Sequence, residues 1–149
     1  MEHRVFTVLM AEDNEHDILA TKRAWKKYNI ANPLYIVNDG EECLDYLYRK
    51  GKYKDPALSP RPGLVLLDIN MPKLDGLSAL KKIREDENFA KLPVMILTTS
   101  KAEEDKLEGY GLNITAYIVK PVGFDNFAEA VRAINVFWEL VEKPELSLV

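Results

Sequence analysis

The sequence predicts an α/β domain: a doubly wound, five-stranded parallel sheet in the strand order 2-1-3-4-5. Three observations carry that expectation. Branched apolar runs such as Leu64-Val65-Leu66-Leu67 and Val94-Met95-Ile96-Leu97 lack the alternation of a half-exposed strand and fit strands covered by helices on both faces. Five such runs alternate with stretches of helical character, the pattern of a repeated βα unit. Several of them stop at carboxylates or hydroxyls just before a helix begins, and right-handed crossovers gather those ends along one edge of the sheet.

The first strand is expected over residues 5–10 and the first helix over 14–28, with Asn14 as its cap and Asp17 favourably placed in the first turn. Ile18, Trp25 and Tyr28 form the apolar side of that helix, interrupted by the more polar Thr21. Asn32-Pro33 breaks the chain before a short strand over 34–37, and Asp39-Gly40 turns it into a helix over 41–49 that points Cys43, Leu44 and Leu47 inward. Residues 50–63 are basic, hold three prolines and lack periodicity, so they read as an extended surface loop, either a solvated decoration or a docking element. The central strand over 64–68 ends on Asp68. Pro72 closes it off, and Asp75-Gly76 turns into a helix over 76–85 with Leu77, Leu80 and Ile83 inward. Pro93 precedes a strand over 94–97 that terminates in Thr98-Thr99-Ser100. A short helix over 102–108 stops at Gly109 and Gly111, and a strand over 116–119 ends on Lys120-Pro121. The last helix, over 124–140, carries the apolar series Phe124, Phe127, Val131, Ile134, Trp138 and Val141.

A chain of 149 residues suits one domain and is too short for two full ones, so a single domain over residues 1–149 is expected. Apolar content of 47% and charged content of 30% are those of an ordinary globule. A net charge of −4 and a pI near 5.3 argue against a broad nucleic-acid footprint. Cys43 is alone, so no disulfide framework exists, and no stretch has the length of a signal peptide's apolar region or a membrane span. A cytoplasmic protein is the expectation, without direct contacts to nucleic acid or membrane.

The strand order sets the chemistry. Strands one and three lie side by side, which brings Glu12, Asp13 and Asp68 within reach of one another, with Thr98 and Lys120 arriving from the neighbouring strands. Three like charges in a crevice call for a cation, and Mg²⁺ accepts a few carboxylates while keeping several waters. Asp68, at the edge of the central strand, is the candidate reacting group: an in-line carboxylate can form an aspartyl-phosphate. Mg²⁺ on Glu12, Asp13 and Asp68 would offset developing charge, Lys120 would pair with a phosphoryl oxygen and Thr98 would donate to another. His3 and His16 stand away from the strand ends, Cys43 belongs to a core helix, and no glycine-rich phosphate loop is present. A small Mg²⁺-dependent phosphatase using Asp68 as nucleophile is the alternative, although no second acid or base is evident beside it; a flavin-binding electron carrier on the same fold is a third reading.

At these residues the sequence resembles the receiver domain of bacterial two-component response regulators. Glu12-Asp13 matches the family's acidic pair, Asp68 its phosphoacceptor, Asp68-x-x-Met-Pro-x-x-Asp-Gly the motif that follows, Thr98 its hydroxyl residue and Lys120-Pro121 its lysine-proline pair. The resemblance implies a flavodoxin-like fold, a metal held by Glu12, Asp13, Asp68 and the main-chain carbonyl of Asn70, and phosphoryl contacts from Thr98 and Lys120. It also implies a switch in which Thr98 moves and Tyr117 changes rotamer, and a cis bond before Pro121. The basic stretch at 50–63 departs from the minimal pattern and is similar to the single-domain regulators found beside bacterial phytochromes and hybrid histidine kinases. The implied partner is therefore a histidine kinase, either a phytochrome or a hybrid kinase.

After the last helix the remaining residues are too few for a DNA-binding module, so a stand-alone regulator acting through protein contacts is expected. The second line of that helix, Ala130, Ala133, Phe137 and Leu140, leaves Phe137 large and apolar at an outward position. Phe137 and Leu140 are the candidate interface for a homodimer or a kinase.

Overall fold

The computed structural model describes residues 6–27, 29–98 and 100–119. The expected last helix with Phe137 and Leu140, and the Lys120-Pro121 pair, lie outside those residues. The described elements run β1 (Thr7–Ala11), α1 (Glu15–Lys27), β2 (Leu34–Val37), α2 (Gly40–Tyr48), β3 (Pro62–Asp68), α3 (Gly76–Glu85), β4 (Val94–Thr98), α4 (Lys101–Glu108) and β5 (Ala116–Val119). All neighbours are parallel, in the order β2-β1-β3-β4-β5. The flavodoxin-like arrangement expected from the sequence is thus the one adopted.

The two-residue period of a strand explains why the central runs are apolar throughout. Leu9, Val65, Leu67, Val94 and Ile96 face one side of the sheet and pack with Cys43 and Leu47 of α2, Leu80 and Ile83 of α3, and Leu107 of α4. Val8, Met10, Leu64, Leu66, Met95 and Leu97 face the other side with Trp25 of α1. Leu64, Val65, Leu66 and Leu67 are all fully buried, and each large apolar side chain taken out of water contributes about 1.5–3 kcal/mol. That burial holds β3 at the centre and places its last residue on the carboxyl edge. The Trp25 indole N–H donates to the Asn32 carbonyl at 2.7 Å, which ties α1 to the chain leading into β2. Thr21 does not interrupt the inner side of α1: it is buried, with its hydroxyl donating to the Asp17 carbonyl at 2.7 Å.

The stretch after α2 differs from its expectation. Residues 50–61 are not extended; they form 3₁₀ turns at Gly51–Tyr53 and Pro56–Leu58 and fold back on α2, and Pro62-Gly63 already belongs to β3. Side-chain bonds supply what periodicity does not. Arg61 donates to the carbonyls of Leu47, Tyr46 and Ser59, Arg49 donates to Ser59, and the Tyr46 hydroxyl donates to the Pro60 carbonyl at 2.6 Å. Ser59 is fully buried as a result. Proline is admissible as the first residue of β3, where no ladder hydrogen bond is yet required of it. Among the described residues no helix is long and apolar enough to cross a membrane.

Candidate functional site

The carboxyl edge collects what the strands deliver there. Glu12 follows β1; its N–H donates to the Val37 carbonyl at 3.0 Å, its own carbonyl accepts from the Asn38 side-chain amide at 3.3 Å, and its Oε1 accepts from the Asn14 N–H at 3.2 Å. Asn14 also caps α1, accepting from the Asp17 N–H at 3.1 Å. Asp68 ends β3, and its Oδ1 accepts from the Asn70 N–H at 3.2 Å. The first turn of α3 backs directly onto this point: a side chain at Gly76 would collide with the Asp68 carbonyl, and the Gly76 N–H donates to the Ile69 carbonyl at 3.0 Å. Only glycine admits that approach.

Carboxylate oxygens of Glu12, Asp13 and Asp68 all lie within 4.8 Å of one another. Glu12 and Asp68 are buried and Asp13 is exposed, so the cluster has a protein side and a solvent side. Like charges this close in a partly desolvated place repel strongly. An all-oxygen, carboxylate-rich donor set with one open side fits a hard divalent cation that retains water. The three strand-end carboxylates expected to converge therefore do so, and Asn70 stands beside them, exposed.

Thr98 closes β4 and is fully buried, yet its Oγ1 has no hydrogen-bond partner among the described residues. An unsatisfied buried hydroxyl costs about 1–3 kcal/mol, so it marks a place where an acceptor is expected. Pairing Ile96 with Tyr117 and Thr98 with Val119 puts Tyr117 on the same sheet face as Thr98. Tyr117 is partly buried against that face. Its phenol is pushed up from the ordinary tyrosine range by burial first and by Glu108 and Glu104 of α4 next, so the ring lies in the field of that helix.

Sequence reasoning missed the groups that brace the edge. Asn38 holds the Glu12 backbone, and Asp39, which caps α2 by accepting from the Glu42 N–H at 2.8 Å, meets Lys73 of the β3–α3 connection at 3.7 Å. Lys73 adopts a left-handed φ of 63°. These contacts join residues far apart in the chain, and only the Asp39-Gly40 turn signal hinted at one of them.

Residues 8–132 match the response regulator receiver domain family. The chain belongs to that family. Among curated relatives, this receiver is 34% identical to Response regulator Rcp1 of Synechocystis sp. over 131 residues, covering 88% of this chain and 87% of the relative. Among solved structures, it superposes on the bacteriophytochrome response regulator RtBRR with a TM-score of 0.81 at 34% identity, covering 97% of this chain and 87% of that one. It superposes on the Mn²⁺-bound form of Rcp1 with a TM-score of 0.76 at 33% identity, covering 94% and 99%. The receiver is thus closely related to phytochrome-associated regulators. Like other receivers it is a self-modifying phosphoacceptor protein rather than a classical enzyme, and its acidic cluster is of a kind that can coordinate a divalent metal.

Proposed function

We propose that this receiver accepts a phosphoryl group on Asp68 from a histidine kinase and signals through a phosphorylation-dependent change of its α4–β5 side. The observation that carries the reading is the convergence of Glu12, Asp13 and Asp68 at the carboxyl edge of adjacent parallel strands.

In the transfer, an Asp68 carboxylate oxygen attacks the phosphorus, a P–O bond forms, the P–N bond of the donor phosphohistidine breaks, and the departing imidazole takes a proton. Mg²⁺ is the proposed cofactor, and Glu12, Asp13, Asp68 and the Asn70 carbonyl are the groups that would hold it; when bound, it supplies charge neutralisation at the phosphoryl oxygens. Burial on β3 and the close start of α3 keep Asp68 in place, which is the protein's main contribution to a reaction governed by positioning. Thr98 donates its unmatched hydroxyl to a phosphoryl oxygen, and Lys120 pairs with another. Movement of Thr98 then opens room for Tyr117 on the same face. The Mn²⁺ held by the related Rcp1 supports the metal, and kinship with bacteriophytochrome regulators supports a phytochrome or hybrid kinase as the donor.

Incubation with acetyl phosphate and Mg²⁺, followed by intact mass and peptide mapping, tests the assignment. One phosphoryl group on Asp68 in a single turnover is expected, with none on Asp68→Asn. A label elsewhere, or rapid multiple turnover, overturns it.

A further inference from the structure

Arg84 lies near the carboxyl end of α3, half-buried, and no carboxylate among the described residues pairs with it. Its guanidinium donates instead to three main-chain carbonyls: Nε to Leu112 at 2.7 Å, Nη1 to Phe89 at 2.9 Å and Nη2 to Asn113 at 3.0 Å. Burial alone pushes its pKa down, the mark of a charge held away from water. Such a group persists where a planar fork of donors is needed in fixed directions.

The three acceptors belong to two places. Phe89 closes the 3₁₀ turn Glu87–Phe89 ahead of β4, while Leu112 and Asn113 lie just ahead of β5. Beside them the Thr115 N–H donates to the Val94 carbonyl at 2.8 Å, and the Val94 N–H donates to the Thr115 hydroxyl at 3.2 Å. One guanidinium and one threonine thus tie the first residues of β4 and β5 to each other and to α3, at the sheet edge opposite the acidic cluster.

On the other side of this tie the chain is held mainly at its surface, where the Lys81 ammonium of α3 lies 4.6 Å from the centre of the Tyr110 ring. Leu107 is the buried residue of α4, and residues 109–111 that follow it are exposed. Gly111 has a φ of 63° and nothing within 4 Å of where a side chain would stand.

We infer that Arg84 is a positioning residue for the receiver's output side: it anchors the start of β5 to β4 and α3, so that α4 reorients about residues 109–111 while Tyr117 keeps its register beside Ile96. The link to signalling rests on the phosphoacceptor reading above; the anchoring itself does not.

Hydrogen–deuterium exchange resolved by peptide separates the two. The proteins are wild type, Arg84→Gln and Arg84→Lys, each with and without Mg²⁺ and beryllofluoride as a phosphoryl mimic. In Arg84→Gln, exchange over residues 112–118 rises about tenfold or more while β1 and β3 change by less than about threefold. In wild type the mimic alters exchange over 101–108 and leaves 112–115 protected; in the variant both stretches respond. Lysine keeps the charge but lacks the fork, so Arg84→Lys follows Arg84→Gln, and it decides the question if the glutamine variant does not fold. Wild-type protection at 112–118 in the variants, an equal rise throughout the sheet, or full rescue by lysine overturns the anchor. A local rise with no response to the mimic in wild type keeps the anchor and defeats the phosphoacceptor reading.

Discussion

Helices α3 and α4 cover the same face of the sheet and are held to it very differently. α3 starts from an Asp75 cap at 2.7 Å and buries Gly76, Ala79, Leu80 and Ile83, with its first turn pressed against the backbone of Asp68. α4 starts from a Ser100 cap at 3.2 Å and buries Leu107. Its Lys101 pairs with Glu104 and Asp105 on the surface, where ion pairs add little to stability. The difference suits the proposed division of labour: the α3 side would hold the proposed phosphoacceptor Asp68 still, and the less buried α4 side would be the one a local charge event rearranges.

Core truncation tests this contrast most strongly. Leu80→Ala is expected to lower the unfolding free energy by about 3–4 kcal/mol and Leu107→Ala by about 2, because the site under α4 can collapse around the gap. Urea denaturation checks it, and equal losses would erase the distinction between the helices.

Alkaline pH offers the next largest effect, with the buried thiol of α2 as its clearest single source. Burial, helped by Asp39 and Glu42, pushes the Cys43 thiol from 9.0 up to about 12. A raised folded-state pKa contributes stability that is fully present below pH 9 and is lost as pH rises toward 12, by about 1.4 kcal/mol per unit within that window. Stability measured at pH 8.5 and pH 10.5 should fall clearly in wild type and less in Cys43→Ala. Tyr46, pushed up to about 12 chiefly by burial, together with Tyr48, Tyr53 and Tyr117, which burial also raises, leaves that variant a residual slope above pH 10.

Mg²⁺ at about ten times its dissociation constant should add about 1.4 kcal/mol to the unfolding free energy. Thermal denaturation with and without chelator reads the gain, and Asp13→Asn or Asp68→Asn should lose most of it. The smallest effect is expected at Thr98. Thr98→Val removes a buried hydroxyl that has no partner among the described residues, so the unfolding free energy should hold or rise by about 1 kcal/mol while the response to phosphorylation weakens. A loss of about 2 kcal/mol would mean that the hydroxyl already serves the unmodified fold.

Much of this was legible in the chain. The unbroken apolar run Leu64–Leu67 ending on Asp68 marked the central strand and its functional tip, because a strand covered on both faces has no polar side to show. Asn14, Asp39-Gly40 and Asp75-Gly76 announced helix starts through local chemistry, and Asn14, Asp39 and Asp75 each cap as their type suggests. The stretch 50–63 reads as extended, yet residues 50–61 fold back on α2, because their order comes from Arg49, Arg61 and Tyr46 reaching carbonyls up to fifteen residues away, which no local pattern encodes.

What the sequence determined by itself was the order of the described strands and helices and the residues Glu12, Asp68 and Thr98 at strand ends, since burial and backbone preference act along the chain. What only the tertiary structure decided was which ends meet and how firmly each is held. The 4.8 Å gathering of Glu12, Asp13 and Asp68, the unmatched Thr98 hydroxyl and the Arg84 anchor depend on strand register and on carbonyl directions. Those are set when separated segments pack, and hydrogen bonds and charges act at distances that only packing defines.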